Sequence, residues 1–213
     1  MKIALFGSTG FVGKVLLEKA LQQGFQVITL ARSPEKLGAL KDKVEVIQGD
    51  IFQPDKIEEC LQGVKAVLST VPPEARTEDP GKYERNMDEI IRLMKKNGVR
   101  RLVHIGGAAH GGGENEQWSL QRRLLRLFLN LTWKPGLFAK QLEWEAMKRS
   151  GIDWTLIRPP RVIKGKSVGK LAADDKKLIG AAVNVNDLAA FMLEQIESKE
   201  WIGRAPLVST IKR

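Results

Sequence analysis

The chain has 213 residues, 43% of them hydrophobic and 28% charged, with 20 Gly, 9 Pro, a single Cys and a net charge of +10. That length buries a sizeable core, and the composition excludes a low-complexity or repeat chain. The lone Cys60 rules out an internal disulfide and most thiolate metal sites.

The opening residues hold too few apolar positions for a secretory signal. The longest greasy stretch, 124–133, is interrupted by Arg126 and Asn130 and falls far short of a membrane span. The expectation is a cytoplasmic protein of one domain, 1–213, with no transmembrane segment and no metal. A basic balance suits polyanions, a phosphorylated cofactor or plain surface chemistry. Apart from a local cluster at Arg122, Arg123 and Arg126 the basic residues are scattered, and no nucleic-acid-binding motif accompanies them. Nucleic acid is therefore not the expected partner.

In chain order, residues 2–6 form a short apolar run ending at Gly7, the pattern of a buried parallel strand. Residues 11–23 carry helical spacing through Val12, Val15, Leu16 and Ala20 and close at Gly24. Strands are expected at 26–31, 44–47 and 66–71, with a helix at 54–61 and Pro72-Pro73 ending the fourth strand. A helix over 83–96 turns Ile90, Ile91 and Met94 inward and stops at Asn97-Gly98. The fifth strand, 101–105, ends at Gly106-Gly107, and a glycine-rich loop follows at 111–113. Helical stretches at 117–134 and 138–149 are divided by Pro135-Gly136, and a sixth strand, 154–157, precedes Arg158-Pro159-Pro160. The remainder, 161–213, holds one clear helix at 187–196 and short segments able to pair as strands. This alternation predicts an α/β fold: a Rossmann-type doubly wound sheet, mostly parallel, with helices on both faces and a small C-terminal substrate-side region.

The first strand runs into Gly7-Ser8-Thr9-Gly10-Phe11-Val12-Gly13 and a helix follows at once. Gly7 allows the tight turn, Gly10 lets a pyrophosphate approach the backbone, and Gly13 lets the helix pack closely. The helix N-terminus offers unpaired N–H groups and a positive dipole end for phosphates. Arg32 ends the second strand, where an acidic residue would select NAD; arginine there suits the 2′-phosphate of NADP, with Ser33 and Lys36 adding a hydroxyl and a charge. Asp50, in Gly49-Asp50-Ile51, can accept from an adenine amino group or serve as a turn aspartate. Ser69, Thr70, Val71 and Pro72 should line the carboxyl edge of the sheet, where ligands sit in this architecture. Gly106, Gly107, Lys140 and Pro159 complete the expected set around NADP(H).

These residues resemble the atypical short-chain dehydrogenase/reductases, in particular the NAD(P)H-binding group that includes biliverdin reductase B (flavin reductase) and NmrA-like proteins. The likeness rests on Gly7 to Gly13, Arg32, Gly49-Asp50, Arg158-Pro159-Pro160, the run Val185-Asn186-Asp187-Leu188-Ala189 and Phe191-Met192-Leu193. Standard members of the superfamily use a serine after strand five and a Tyr-x-x-x-Lys helix as a proton relay. Here Gly106-Gly107 stands at the serine and Gly136 at the tyrosine, while Lys140 suits the lysine. Alcohol–carbonyl chemistry is thus not expected. The resemblance implies NADPH-dependent reduction of a planar acceptor such as a flavin or quinone. The alternative is a non-catalytic NADP(H) redox sensor acting through a protein partner.

His110, just beyond strand five, can donate a proton or hydrogen bond near the acceptor, although a solvated loop histidine is the blander expectation. His104 reads as a core side chain with a satisfied nitrogen, and Cys60 as buried filler. Leu120, Leu124, Leu127, Phe128 and Leu131 form an apolar stripe expected to pack on the sheet, with Arg122, Arg123 and Arg126 off it. A pocket wall, a homodimer face and a membrane-surface contact are the other uses for that stripe.

Overall fold

The computed structural model describes residues 1–74, 77–111, 116–165 and 169–212. Six strands, β1 (Lys2–Phe6), β2 (Gln26–Ala31), β3 (Glu45–Gln48), β4 (Ala66–Ser69), β5 (Arg101–Ile105) and β6 (Asp153–Ile157), form one parallel sheet in the order β3-β2-β1-β4-β5-β6. The order reverses at β1, so the crevice beyond the carboxyl ends of β1 and β4 is the topological switch point. The register sets Phe6 opposite Leu30 on one side and Ser69 on the other, which brings Gly7 and Thr70 together at that edge.

Helices cover both faces. Strand β1 alternates: Ala4 and Phe6 join a core with α2 (Pro54–Cys60), α3 (Gly81–Lys96) and α5 (Lys134–Arg149). Ile3 and Leu5 join the opposite core with α1 (Phe11–Gln22) and α6 (Val185–Glu194). A parallel strand buried on both faces needs apolar side chains at successive positions, as the run Ile-Ala-Leu-Phe supplies. Helix α1 ends where Gly24 takes φ +79°, a left-handed conformation that glycine adopts without a Cβ clash.

Between β2 and β3 the chain makes 3-10 turns over Pro34–Lys43. Past β6, β7 (Val162–Ile163) pairs in parallel with β9 (Val183–Asn184), and β8 (Gly169–Asp174) pairs antiparallel with β10 (Leu207–Lys212). Gly112 and Gly113 of the expected glycine-rich loop lie outside the described residues.

Two expectations need correction. The break in 117–149 is not at Pro135-Gly136: α4 (Leu120–Thr132) stops at Trp133, and Pro135 and Gly136 belong to the first turn of α5. Proline is at home there, since the first helical N–H groups have no intrahelical acceptor to lose. The apolar stripe of α4 does not pack on the sheet either. Leu120, Leu124, Leu127, Phe128 and Leu131 are all exposed, Leu131 at 80%, whereas Arg122 is fully buried.

Candidate functional site

Two cavities lie side by side at the switch point. The first, about 270 Å³, is a cleft lined by Gly7, Thr9, Gly10, Arg32, Asp50, Ile51, Thr70, Val71, Glu74 and Tyr83 among others. The second, about 280 Å³, is mainly apolar and is walled by Phe11, Val12, Gly106, Gly107, His110, Leu129, Trp133, Leu137 and Lys140. Gly10, Thr70 and Pro72 border both.

The glycine turn builds the shared border. Gly7 has φ +87°, and a Cβ there would sit 2.7 Å from Thr70 Oγ1. A Cβ on Gly13 would collide with the Gly7 carbonyl, so these two glycines permit the close approach of turn and helix. Gly10 has only the Gly7 oxygen near its missing Cβ and opens onto both cavities. Helix α1 carries no acidic residue in its first turn and no side-chain cap, leaving its N-terminal positive end facing the cleft.

Arg32 lies at the cleft rim with its side chain 73% exposed, its Nε 3.6 Å from Asp50 Oδ2. Asp50 is a turn aspartate: its Oδ1 accepts the Phe52 N–H at 3.0 Å. The Tyr83 hydroxyl, raised in pKa mainly by burial, accepts the Glu74 N–H at 2.7 Å, and its ring meets Phe52 edge-on at 5.5 Å. Six of the expected residues line neither cavity, Lys36 of the 3-10 turns among them. Gly13 serves packing, Ser8 is buried with its hydroxyl 2.6 Å from that of Thr29, and Ser69 is buried in β4. Ser33 precedes the 3-10 turns, and the Pro159 carbonyl accepts the Ala108 N–H.

In the second cavity, two aromatic rings occupy the space beside the positions where the resemblance expected a serine and a tyrosine. A Cβ on Gly106 would sit 2.9 Å from the His110 ring, and one on Gly136 would collide with the Trp133 indole. His110 is buried, not solvated; its Nε2 accepts the Gly107 N–H at 2.8 Å, which puts the proton of the neutral ring on Nδ1. Burial, and then the Arg158 charge, hold its pKa well below the ordinary value.

Lys140 is buried at the cavity floor, and its Nζ lies 3.2 Å from Val71 O, 3.1 Å from Ile105 O, 3.1 Å from His104 Nε2 and 3.0 Å from Glu143 Oε2. An ammonium has three hydrogens for these four neighbours. His104 Nε2 therefore accepts from Lys140 or donates to Glu143, 3.3 Å away, and Nδ1 is left without a hydrogen-bond partner among the described residues. The expectation of one satisfied histidine nitrogen holds, but for a charged cluster rather than a plain core. Burial lowers the His104 pKa, with Lys140 adding to it; burial alone would raise Glu143, but Lys140 and His104 outweigh it and hold the carboxyl below its usual range. Glu143 escaped the sequence reading, although it stands three residues after Lys140 on one helix face.

Beneath α4 a second charged group closes the wall. Glu116 Oε1 lies 2.7 Å from Arg122 and 2.8 Å from Arg158. Arg122 also donates to Ala108 O and His110 O, and Arg158 to His110 O and Ala205 O. These bonds fix the segment carrying His110. Cys60 is buried, its thiol pushed up to about 12 by burial, and takes no part in the site. Among the described residues no cluster has the makings of a metal site.

The sheet order and the glycine turn at its switch point define a Rossmann fold with a nucleotide-binding crevice. Residues 7–199 match the NAD(P)H-binding family, and the chain belongs to it. It is 26% identical to Photosystem II assembly factor Ycf39 of Cyanophora paradoxa over 99% of this chain and 64% of that protein. It is also 26% identical to (4-alkanoyl-5-oxo-2,5-dihydrofuran-3-yl)methyl phosphate reductase of Streptomyces griseus, over 97% of this chain and 67% of that protein. The chain thus spans about two thirds of the length of these relatives. In fold it resembles the anaerobillin reductase ChuY of Escherichia coli O157:H7, with a TM-score of 0.79 at 18% identity over 100% of both chains.

Proposed function

We propose that the protein is an NADPH-dependent reductase passing hydride to a flat, electron-poor acceptor such as a flavin or quinone. The observation that carries this reading is the apolar cavity bounded by His110, Leu129, Trp133 and Leu137, which shares Gly10, Thr70 and Pro72 with the cleft beside it. NADPH, when bound, supplies the hydride, so the protein needs chiefly to bind, orient and exclude water.

Gly10 offers bare backbone, and the uncapped α1 N-terminus a positive dipole end, to the pyrophosphate. Arg32 turns to the 2′-phosphate, since its long, exposed pairing with Asp50 holds it weakly. Trp133 and His110 give the acceptor two ring surfaces in place of a proton relay, and its proton comes from solvent. Lys140 positions the β4 and β5 ends through the Val71 and Ile105 carbonyls. In this reading residues 1–213 work as one domain in the cytoplasm, and 161–213 complete the acceptor side. The committed hydrogens of Lys140 and the two filled relay positions favour a second reading, a non-catalytic sensor of NADP redox state acting through a protein partner.

NADPH oxidation across a panel of flavins, quinones and tetrapyrroles separates the two readings. The expected result is NADPH oxidation by at least one acceptor and, in a separate assay, no reduction of NADP⁺ by secondary alcohols. NADPH should bind at least roughly tenfold more tightly than NADH, a difference of about 1.4 kcal/mol that Arg32→Ala removes. Gly10→Val should lose cofactor binding with its thermal transition retained. Equal affinities for NADH and NADPH would overturn the NADP assignment. Binding without turnover of any acceptor would replace the enzyme by the sensor.

A further inference from the structure

Five large apolar side chains of α4, Leu120, Leu124, Leu127, Phe128 and Leu131, are 57% to 80% exposed. At helical spacing they share one side, opposite buried Arg122 and the partly buried Leu125 and Leu129. Isolated surface leucines need no explanation, but a contiguous row of five marks an interaction surface. The margin of this row is of one sign. Arg123 is exposed on its flank and Lys134 where α5 begins, Arg126 lies further round with its guanidinium 5.1 Å from the Trp118 ring centroid, and no Asp or Glu occurs between Glu116 and Glu143.

We infer that α4 docks on the surface of an anionic lipid bilayer. The leucines and Phe128 enter the boundary between headgroups and acyl chains, and Arg123 and Lys134 meet the anionic headgroups. With 13 residues, α4 is about 20 Å long, too short to span a bilayer but long enough to lie along its surface. A second copy of the chain fits less well. A two-fold contact sets the same patch against itself, bringing the arginines of two chains of charge +10 together without an acidic residue to offset them. Leu129 and Trp133, on the other side of α4, wall the apolar cavity, so docking sets that cavity one helix away from the lipid. The inference concerns lipid binding and does not depend on turnover.

The test is flotation of the full chain with phosphatidylcholine–phosphatidylglycerol vesicles (about 2:1) and with phosphatidylcholine alone, at low and high salt. The protein should float with the anionic vesicles only and be released as salt rises. The double variant Leu124→Glu/Leu131→Glu should stay at the bottom. Arg123→Gln/Lys134→Gln should lower the partition by about thirtyfold, from roughly 1 kcal/mol per basic residue. All four positions are exposed, so both variants should keep the parent's thermal transition. The inference is overturned if the parent does not float, or if Leu124→Glu/Leu131→Glu floats equally well. It is also overturned if sedimentation in lipid-free buffer shows a dimer that this variant dissociates.

Discussion

Helix α3 turns Tyr83, Met87, Ile90, Ile91, Leu93 and Met94 into the molecule, where most of them pack with α2 and α5 against the sheet. Helix α4, with a stripe just as regular, turns it outward and rests on Arg122 instead. The covered side of α3 is held by apolar burial, roughly 25 cal/mol for each Å² removed from water. The covered side of α4 is held by Arg122 and Arg158 sharing Glu116 and by bonds to the carbonyls of Ala108 and His110. Periodicity reports that a helix has two unlike faces. It does not report which face the rest of the molecule covers.

The two kinds of contact should break differently. Glu116→Gln leaves two buried guanidiniums without their shared carboxylate, and a loss of about 3–5 kcal/mol is expected by denaturant titration. Ile90→Ala, which empties part of the α3 contact, should cost about 2–5 kcal/mol. If Glu116→Gln were neutral, the polar underside of α4 would not be what holds that helix in place.

Acid should next weaken the buried polar groups, both beneath α4 and around Lys140. His110 and His104 both have folded pKa values below the ordinary 6.5, burial being the largest cause in each. The unfolded chain then binds protons that the folded chain refuses, so their contribution is complete above pH 6.5 and is lost as pH falls toward the folded values. The slope should reach at most about 1.4 kcal/mol per pH unit for each histidine, with His110 the larger contributor. Thermal scans between pH 7 and about 5 should show it, and His110→Asn should remove one increment. A flat profile across that window would contradict a buried neutral His110.

The smallest effect belongs to the outward face of α4. Leu124→Ser and Leu131→Ser should each change stability by less than about 0.5 kcal/mol in lipid-free buffer, against the far larger loss for Ile90→Ala. A loss of about 2 kcal/mol from either would mean that the stripe is covered in solution.

Local physics governs part of the candidate site, and that part was readable from the chain. Gly7 and Gly13 are required by a positive φ and a close contact within one turn, and Arg32 follows at a set distance along the same strand–helix–strand unit. The inner parallel strands were readable for the same reason, since most are short apolar runs buried on both faces, whereas the edge strand β3 is only partly buried. The other wall depends on residues distant in sequence. Lys140 meets Val71 and Ile105 from 69 and 35 positions away, Arg158 meets His110 across 48, and Glu116 joins two arginines from different elements. The Trp133 ring beside Gly136 follows from where α4 stops, which the proline misplaced by two residues. The sequence by itself determined the strand–helix alternation, the glycine turn and the amphipathic character of α4. Only the tertiary structure decided that an arginine would be the inward face of that helix, because burying a guanidinium requires carboxylate and carbonyl partners that distant segments supply.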